Sequence, residues 1–254
     1  MQSILFKYLD IQGAKAMLYN SNIQFTNATK FNDPFDCHPG LIDFSRVTPE
    51  KAKRYGGNTN IAIEFESAEF EQNREQAWIC CLSKVFDSIL MWSYYNQHKG
   101  VCIGLDMEKV KKCILSNMPG FMVSPDFEVT YREIIDKPDY FGDHQDFFYY
   151  QMCTKAKVWE HEQEVRMFIM DPLPIFMKLP YKPEDENEII DWKEVRSYPP
   201  ISGECFSAIY LGVNMSEEDK EEIIECGRKL NSGIQIHQMI VNPDAFKLDL
   251  ISIL

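Results

Sequence analysis

The chain has 254 residues, 45% of them hydrophobic, 26% charged and 13% aromatic, a composition that supports a packed core and excludes disorder or a collagen-like repeat. Asp and Glu (39) outnumber Lys and Arg (26), a formal charge of −13, which excludes non-specific nucleic-acid binding and adsorption to an anionic membrane, because both need a basic face. No apolar run approaches the roughly twenty residues of a bilayer span, and the start lacks a basic segment followed by an apolar one, so a soluble, cytoplasmic protein is expected.

In chain order, Leu5-Phe-Lys-Tyr8 reads as a short strand, and Asp10 caps a helix whose apolar face is Ile11, Ala14, Met17 and Leu18. Residues 23–26 form a second strand that runs into a turn-rich loop, 27–40. Residues 48–76 are polar and helical, interrupted at Gly56-Gly57-Asn58, and 77–83 form an apolar strand. Asp87 and Gly100 bracket a helix over 88–98, followed by a buried strand (101–105), a helix (107–115) and an alternating strand (127–131). Residues 141–158 read as helix and 162–170 as strand. Six acids between 182 and 200 mark that segment as an exposed excursion within a single domain spanning 1–254. At the end, strand 206–213, a helix capped by Ser216 and closed by Gly233, and strand 234–241 have the spacing of a parallel crossover. Three acids follow Ser216 and would repel a phosphate, so that helix start is scaffold. Strands and helices without regular alternation predict an α+β class: a mixed, largely antiparallel sheet flanked by helices, ending in a strand–helix–strand unit.

The eight cysteines contain no C-x-x-C pair, and several lie in apolar runs, which predicts reduced, buried thiols with neither a structural disulfide nor zinc.

Three stretches can carry chemistry. In Lys30-Phe-Asn-Asp-Pro-Phe-Asp36, Asn and Pro suit a turn and the two Phe side chains anchor it. The same loop can present Asn32, Asp33, Asp36 and His38 to a ligand or a divalent ion. From Cys81-Leu-Ser83 through Met91-Trp-Ser-Tyr-Tyr95 to His98-Lys-Gly-Val101, much of the pattern is core. Trp92 and Tyr95 nevertheless carry polar atoms that suit a base or sugar ring. In Lys157-Val-Trp-Glu-His-Glu-Gln-Glu-Val-Arg166, period-2 spacing puts Glu162, Glu164 and Arg166 on one strand face. Like charges there would raise the pKa of at least one carboxylate, as at an acid/base site; an exposed helix with a Glu162–Arg166 pair is the alternative.

Taken in order, these stretches resemble the bacterial domain of unknown function 2971. The resemblance rests on a Phe-Lys-Tyr strand (6–8), the Phe-Asn-Asp-Pro-Phe loop (31–35), the Cys-Leu-Ser…Met-Trp…Tyr…His-Lys-Gly-Val run (81–101), and a Lys…Trp-x-x-Glu-x-Glu-x-Arg motif. That last motif holds Lys155 or Lys157, Trp159, Glu162, Glu164 and Arg166. It implies no activity. The Glu-x-Glu strand preceded by strand, helix and Phe25-Thr26 is also similar to the plan of ADP-ribosyltransferases, although Lys7 and Tyr8 stand where that plan has an Arg or His. This second resemblance implies NAD as a cofactor, Glu164 stabilising an oxocarbenium-like state, and Glu162 positioning the acceptor.

The expected site therefore comprises Glu164 and Glu162 as catalytic residues and Lys7, Tyr8, Thr26, Asn32, Asp33, Ser83, Trp92, Tyr95, His98 and Arg166 as ligand contacts, gathered in one cleft, with no resident metal. Glu164→Gln is expected to abolish function without lowering stability. Four functions stay open, the first three being glycosyl transfer on a nucleotide or NAD, a non-catalytic small-ligand or sensor domain, and a metal-dependent carboxylate hydrolase or nuclease using Asp33, Asp36, Glu162 and Glu164. A protein–protein module is the fourth.

Overall fold

The computed structural model describes residues 4–118, 122–124, 126–170 and 197–253. The chain is α+β. Its strands are β1 (Ile4–Leu9), β2 (Thr26–Asn27), β3 (Trp78–Ser83), β4 (Val101–Asp106), β5 (Met122–Val123), β6 (Phe127–Glu128), β7 (Thr130–Arg132), β8 (Thr154–Ala156), β9 (Glu164–Met170), β10 (Phe206–Leu211), β11 (Gln235–Val241) and β12 (Leu248–Ser252). The helices are α1 (Ile11–Asn20), α2 (Thr59–Gln76), α3 (Ile89–Asn96), α4 (Met107–Asn117), α5 (Phe147–Cys153) and α6 (Glu217–Leu230).

The main sheet runs β12-β11-β10-β4-β1-β3-β9-β5, with β2 on β3 and β6 on β9, while β7 and β8 make a separate parallel pair. Within the main sheet, β10 and β11 are parallel and the other pairs antiparallel. The β10–α6–β11 crossover matches the expected unit. Ser216 caps α6, with its Oγ accepting from Asp219 N at 3.2 Å. Lys15 of α1 then bonds Asp219 and Glu222 of α6 at 3.0 and 2.5 Å, fixing the two helices together.

Alternation on the central strands separates two sides. Leu5, Cys80, Leu82, Ile103, Leu105, Val165, Met167, Ile169 and Ile209 enter the largest core beneath α1, α4 and α6. On the opposite side, Phe6, Tyr8, Met91, Trp92, Cys102 and Tyr210 pack together under α3, and Cys37, Ile79, Met152, Cys153 and Phe168 form a neighbouring cluster.

Several boundaries differ from expectation for local reasons. Helix α3 is capped by Ser88, whose Oγ accepts from Met91 N, and not by Asp87. It ends at Gln97 and His98, both left-handed at φ 54 and 58°. The 141–158 segment is α-helical only over α5, because Thr154 turns out to pair with Thr130 in β8–β7. The 127–131 strand is divided, β6 joining β9 and β7 joining β8. Residues 157–162 form a 3-10 turn, so the expected strand begins at Glu164. Asn231 terminates α6 in place of Gly233. Most of the acidic 182–200 segment, through residue 196, lies outside the described residues.

Gly100 and Gly212 allow the starts and ends of β1, β4 and β10 to converge. A Cβ on Gly100 would lie 2.2 Å from Leu9 O and 2.6 Å from Asn96 Cβ, and one on Gly212 would lie 2.4 Å from His98 O. Gly100→Ala should therefore lower stability by about 1–3 kcal/mol through backbone displacement, whereas Gly233→Ala, with its nearest neighbour 3.6 Å away, should be close to neutral. Urea midpoints of the two variants check this; equal midpoints would show that the close approach imposes no constraint.

Candidate functional site

The site grows from the side of β9 that faces away from the largest core. Val165, Met167 and Ile169 enter that core, so the alternate positions Glu164, Arg166 and Phe168 share the other face. Arg166 is fully buried. Its Nη1 and Nη2 donate to the two oxygens of Asp36, each at 2.8 Å. Nε and Nη2 donate to Glu164 at 2.7 and 3.0 Å, and Nη1 also reaches Met152 O at 2.6 Å. This is a planar guanidinium clamped by two carboxylates, a geometry that lysine cannot reproduce.

Asp36 reaches Arg166 because the Asn-Asp-Pro loop folds as a tight turn. Asp33 accepts from Phe35 N at 2.9 Å through its side chain and from Asp36 N at 3.1 Å through its carbonyl. Asp33 is thus a turn former that presents Asp36. Phe31, from the same loop, lies against the guanidinium at 5.4 Å.

Glu162 precedes the strand. Gln163 takes a left-handed conformation (φ 44°), and this kink brings Glu162 beside Glu164 even though the two do not share a continuous strand. Lys155 of β8 bridges them, with Nζ at 2.5 Å from Glu162 and 3.0 Å from Glu164, and 3.8 Å from Asp36. Tyr95 OH donates to the other Glu162 oxygen at 2.7 Å. Ser83 Oγ donates to Glu162 O at 2.7 Å, and Glu164 N donates to Tyr131 OH at 2.8 Å. Three carboxylates and two cations are therefore interleaved.

A cleft of about 200 Å³ opens beside this cluster, between β1, β3, α3 and the 31–36 loop. Among the expected residues it is lined by Lys7, Tyr8, Asn32, Ser83, Tyr95, Glu162 and Glu164, and also by Phe31, Asp36 and Lys155. Arg166 lies behind this wall. The structure sets the remaining expected residues apart from the cleft. Trp92 is fully buried and donates from Nε1 to Phe86 O at 2.8 Å, a core residue. His98 forms the end of α3, with Nε2 2.9 Å from Ser93 Oγ. Thr26 pairs with Ile79 at the β2 edge. His38 caps a turn, accepting from Gly40 N.

The expected rise of a glutamate pKa is overturned at Glu164. Burial pushes its carboxyl up, but Arg166 and Lys155 outweigh burial and hold it well below the usual 4.5. Burial would likewise depress Lys155, yet Glu164, Glu162 and Asp36 keep its ammonium charged far above 10.5. Tyr95 is pushed above its ordinary value by burial and by the Glu162 charge. The like charges do not confront one another, because cations occupy the places between them. Among the described residues no group of three His, Cys, Asp or Glu side chains is arranged to hold a metal. The positive charges among Asp36, Glu162 and Glu164 are Lys155 and Arg166.

Lys155 and Asp36 are the principal residues that the expected set lacked. Lys155 stood in the late motif as an alternative to Lys157, which instead pairs with Glu133 at the surface. Nothing in sequence could tell the two apart, since the choice depends on β8 pairing with β7. Asp36 was visible as a candidate ligand contact, but its partner is 130 residues away.

Fold and cleft together give an α+β chain with a charged pocket beside β9. A family model described as a protein of unknown function (DUF2971) matches residues 91–167, which include Tyr95, Lys155, Glu162, Glu164 and Arg166, and over that stretch the expected resemblance holds. No curated protein and no solved structure matches the chain.

Because Arg166 neutralises two buried carboxylates, Arg166→Met should destabilise the protein by about 3–5 kcal/mol. Glu164→Gln should also lower the melting temperature at neutral pH, contrary to the expectation from repelling carboxylates. The depressed Glu164 pKa means that its charge contributes stability fully above about pH 4.5, and that this contribution is lost as pH falls toward the folded value. Melting curves between about pH 7 and pH 3 should therefore fall more steeply for wild type than for Glu164→Gln. A variant melting at or above wild type at neutral pH would restore the repulsion reading.

Proposed function

We propose that the chain is a small-ligand-binding domain whose cleft takes a hydroxylated, anionic molecule of the nucleotide class. The observation that carries this reading is the contrast between the two glutamates. Glu164 receives three donors from Arg166 and Lys155. Glu162 receives one donor on each oxygen, from Tyr95 and Lys155, while bordering the cleft. A carboxylate oxygen accepts two hydrogen bonds, so Glu162 retains capacity for ligand hydroxyls such as a ribose diol. Lys7 borders the same cleft, donates to Cys81 O at 3.3 Å, and has no carboxylate within ion-pair distance among the described residues. It supplies the charge for an anionic group. Phe31, Tyr8 and Tyr95 offer aromatic surface to a flat ring. A volume of about 200 Å³ is below the about 300–1,000 Å³ of drug-sized sites, which favours a mononucleotide portion over an enclosed dinucleotide.

Glycosyl transfer is the second reading, and the placement of Glu162 at the cleft favours it. In that case Glu162, and not Glu164, is the carboxylate near the anomeric carbon, since the charge of Glu164 is already matched by Arg166 and Lys155.

The test is a thermal-shift and calorimetric survey with AMP, GMP, ADP and NAD. A ligand at about one hundred times its Kd adds about 2.7 kcal/mol, a rise of about 5–10 °C for a chain of this size. Tyr95→Phe, which takes the donor from one Glu162 oxygen, should weaken binding about tenfold and lower stability by about 1–3 kcal/mol, and Lys7→Gln should weaken binding by about tenfold to a hundredfold. Absence of any shift, or wild-type affinity in both variants, would remove the nucleotide reading. Nicotinamide release from NAD, lost in Glu162→Gln, would establish transfer chemistry.

A further inference from the structure

Cys113 and Cys205 are 92 residues apart in sequence, yet their sulfurs lie 3.7 Å from one another. Cys113 is on α4 and half-buried; Cys205 is buried in the 3-10 turn, residues 203–205, that leads into β10. Ser202 Oγ lies 3.5 Å from the first sulfur and 3.7 Å from the second. Asn117 Nδ2 donates to Pro200 O at 3.1 Å and fixes the same two segments together. Both thiols are remote from the cleft and take no part in its lining.

We propose that Cys113 and Cys205 form a peroxide-sensitive dithiol, with Cys113 as the reacting sulfur and Cys205 as the resolving one. The Cys113 thiolate attacks one oxygen of hydrogen peroxide. An S–O bond forms, the O–O bond breaks, and the departing hydroxide takes a proton to become water, leaving a sulfenic acid. Cys205 Sγ then attacks the Cys113 sulfur, and the S–O bond breaks as the S–S bond forms. The second hydroxide leaves as water with the proton given up by Cys205, for which Ser202 Oγ is the adjacent relay. Two thiols and one peroxide thus yield one disulfide and two waters. The sulfurs need to close from 3.7 Å to about 2.0 Å.

The division of roles follows from environment. Cys113 is the more accessible, and although burial pushes its thiol up, hydrogen bonds with Ser202 and Cys205 outweigh this and leave it below its ordinary 9.0. Burial is the main reason that Cys205 is pushed up to about 11, so it stays protonated until Cys113 has been oxidised. Its attack is internal and needs no solvent access. The other cysteines lack a second sulfur in this arrangement among the described contacts.

The experiment treats the reduced full chain with one equivalent of hydrogen peroxide, then denatures it, counts thiols and maps peptides. Titratable thiols should fall from eight to six, with Cys113 and Cys205 in one cross-linked peptide pair and all eight restored by dithiothreitol. Cys205→Ser should halt at the sulfenic acid, trapped on Cys113 by dimedone, while Cys113→Ser should keep its thiols under the same dose. Eight thiols surviving in wild type, a cross-link mapping elsewhere, or equal thiol loss in Cys113→Ser would each overturn the proposal.

Discussion

A guanidinium without access to water must have every donor matched, and Arg166 meets that demand with Asp36, Glu164 and the carbonyl of Met152. The match fixes more than one side chain. It pins the 31–36 loop against β9, sets the last turn of α5 through Met152, and holds Glu164 at the mouth of the sheet. Lys155 can then sit between Glu164 and Glu162, and only with Lys155 in place does Glu162 approach its neighbour without repulsion. The cleft owes its shape to this chain of dependence.

Such a cluster is an expensive way to build a core. Apolar residues of similar volume often give equal or greater stability than buried ion pairs. Asp36, Lys155, Glu162 and Glu164 lie along one side of a cavity, with the aromatic face of Phe31 and the phenol of Tyr95 completing the wall. That location, and not the charge count, is what the ligand-binding proposal rests on. Rigid support of this kind holds Glu162 and Tyr95 in place, and under the proposed function it would reduce the ordering needed on binding.

The division of labour between two adjacent glutamates illustrates how local backbone decides chemistry. Spacing of two residues suggests equivalence on a strand. The left-handed Gln163 ends that equivalence: Glu164 begins β9 and faces Arg166, while Glu162 closes the 3-10 turn and meets Tyr95. One is a structural counter-ion and the other retains acceptor capacity toward the cleft.

Much of the framework was legible in the residues themselves. Asp10 and Ser216 cap helices because their short polar side chains satisfy free N–H groups. The Val165/Met167/Ile169 alternation required Glu164 and Arg166 to share a face, and the β10–α6–β11 crossover followed from element spacing. These features depend on neighbours within a few residues. Whether Trp92 lined a pocket or the core, whether Lys155 or Lys157 met the glutamates, and whether two carboxylates repelled or were neutralised depended on contacts between segments up to 130 residues apart. Periodicity carries no information about such partners. The Glu164 pKa followed the same rule: spacing suggested repulsion between like charges, but only the tertiary arrangement brought Arg166 and Lys155 to its carboxylate and turned its shift downward.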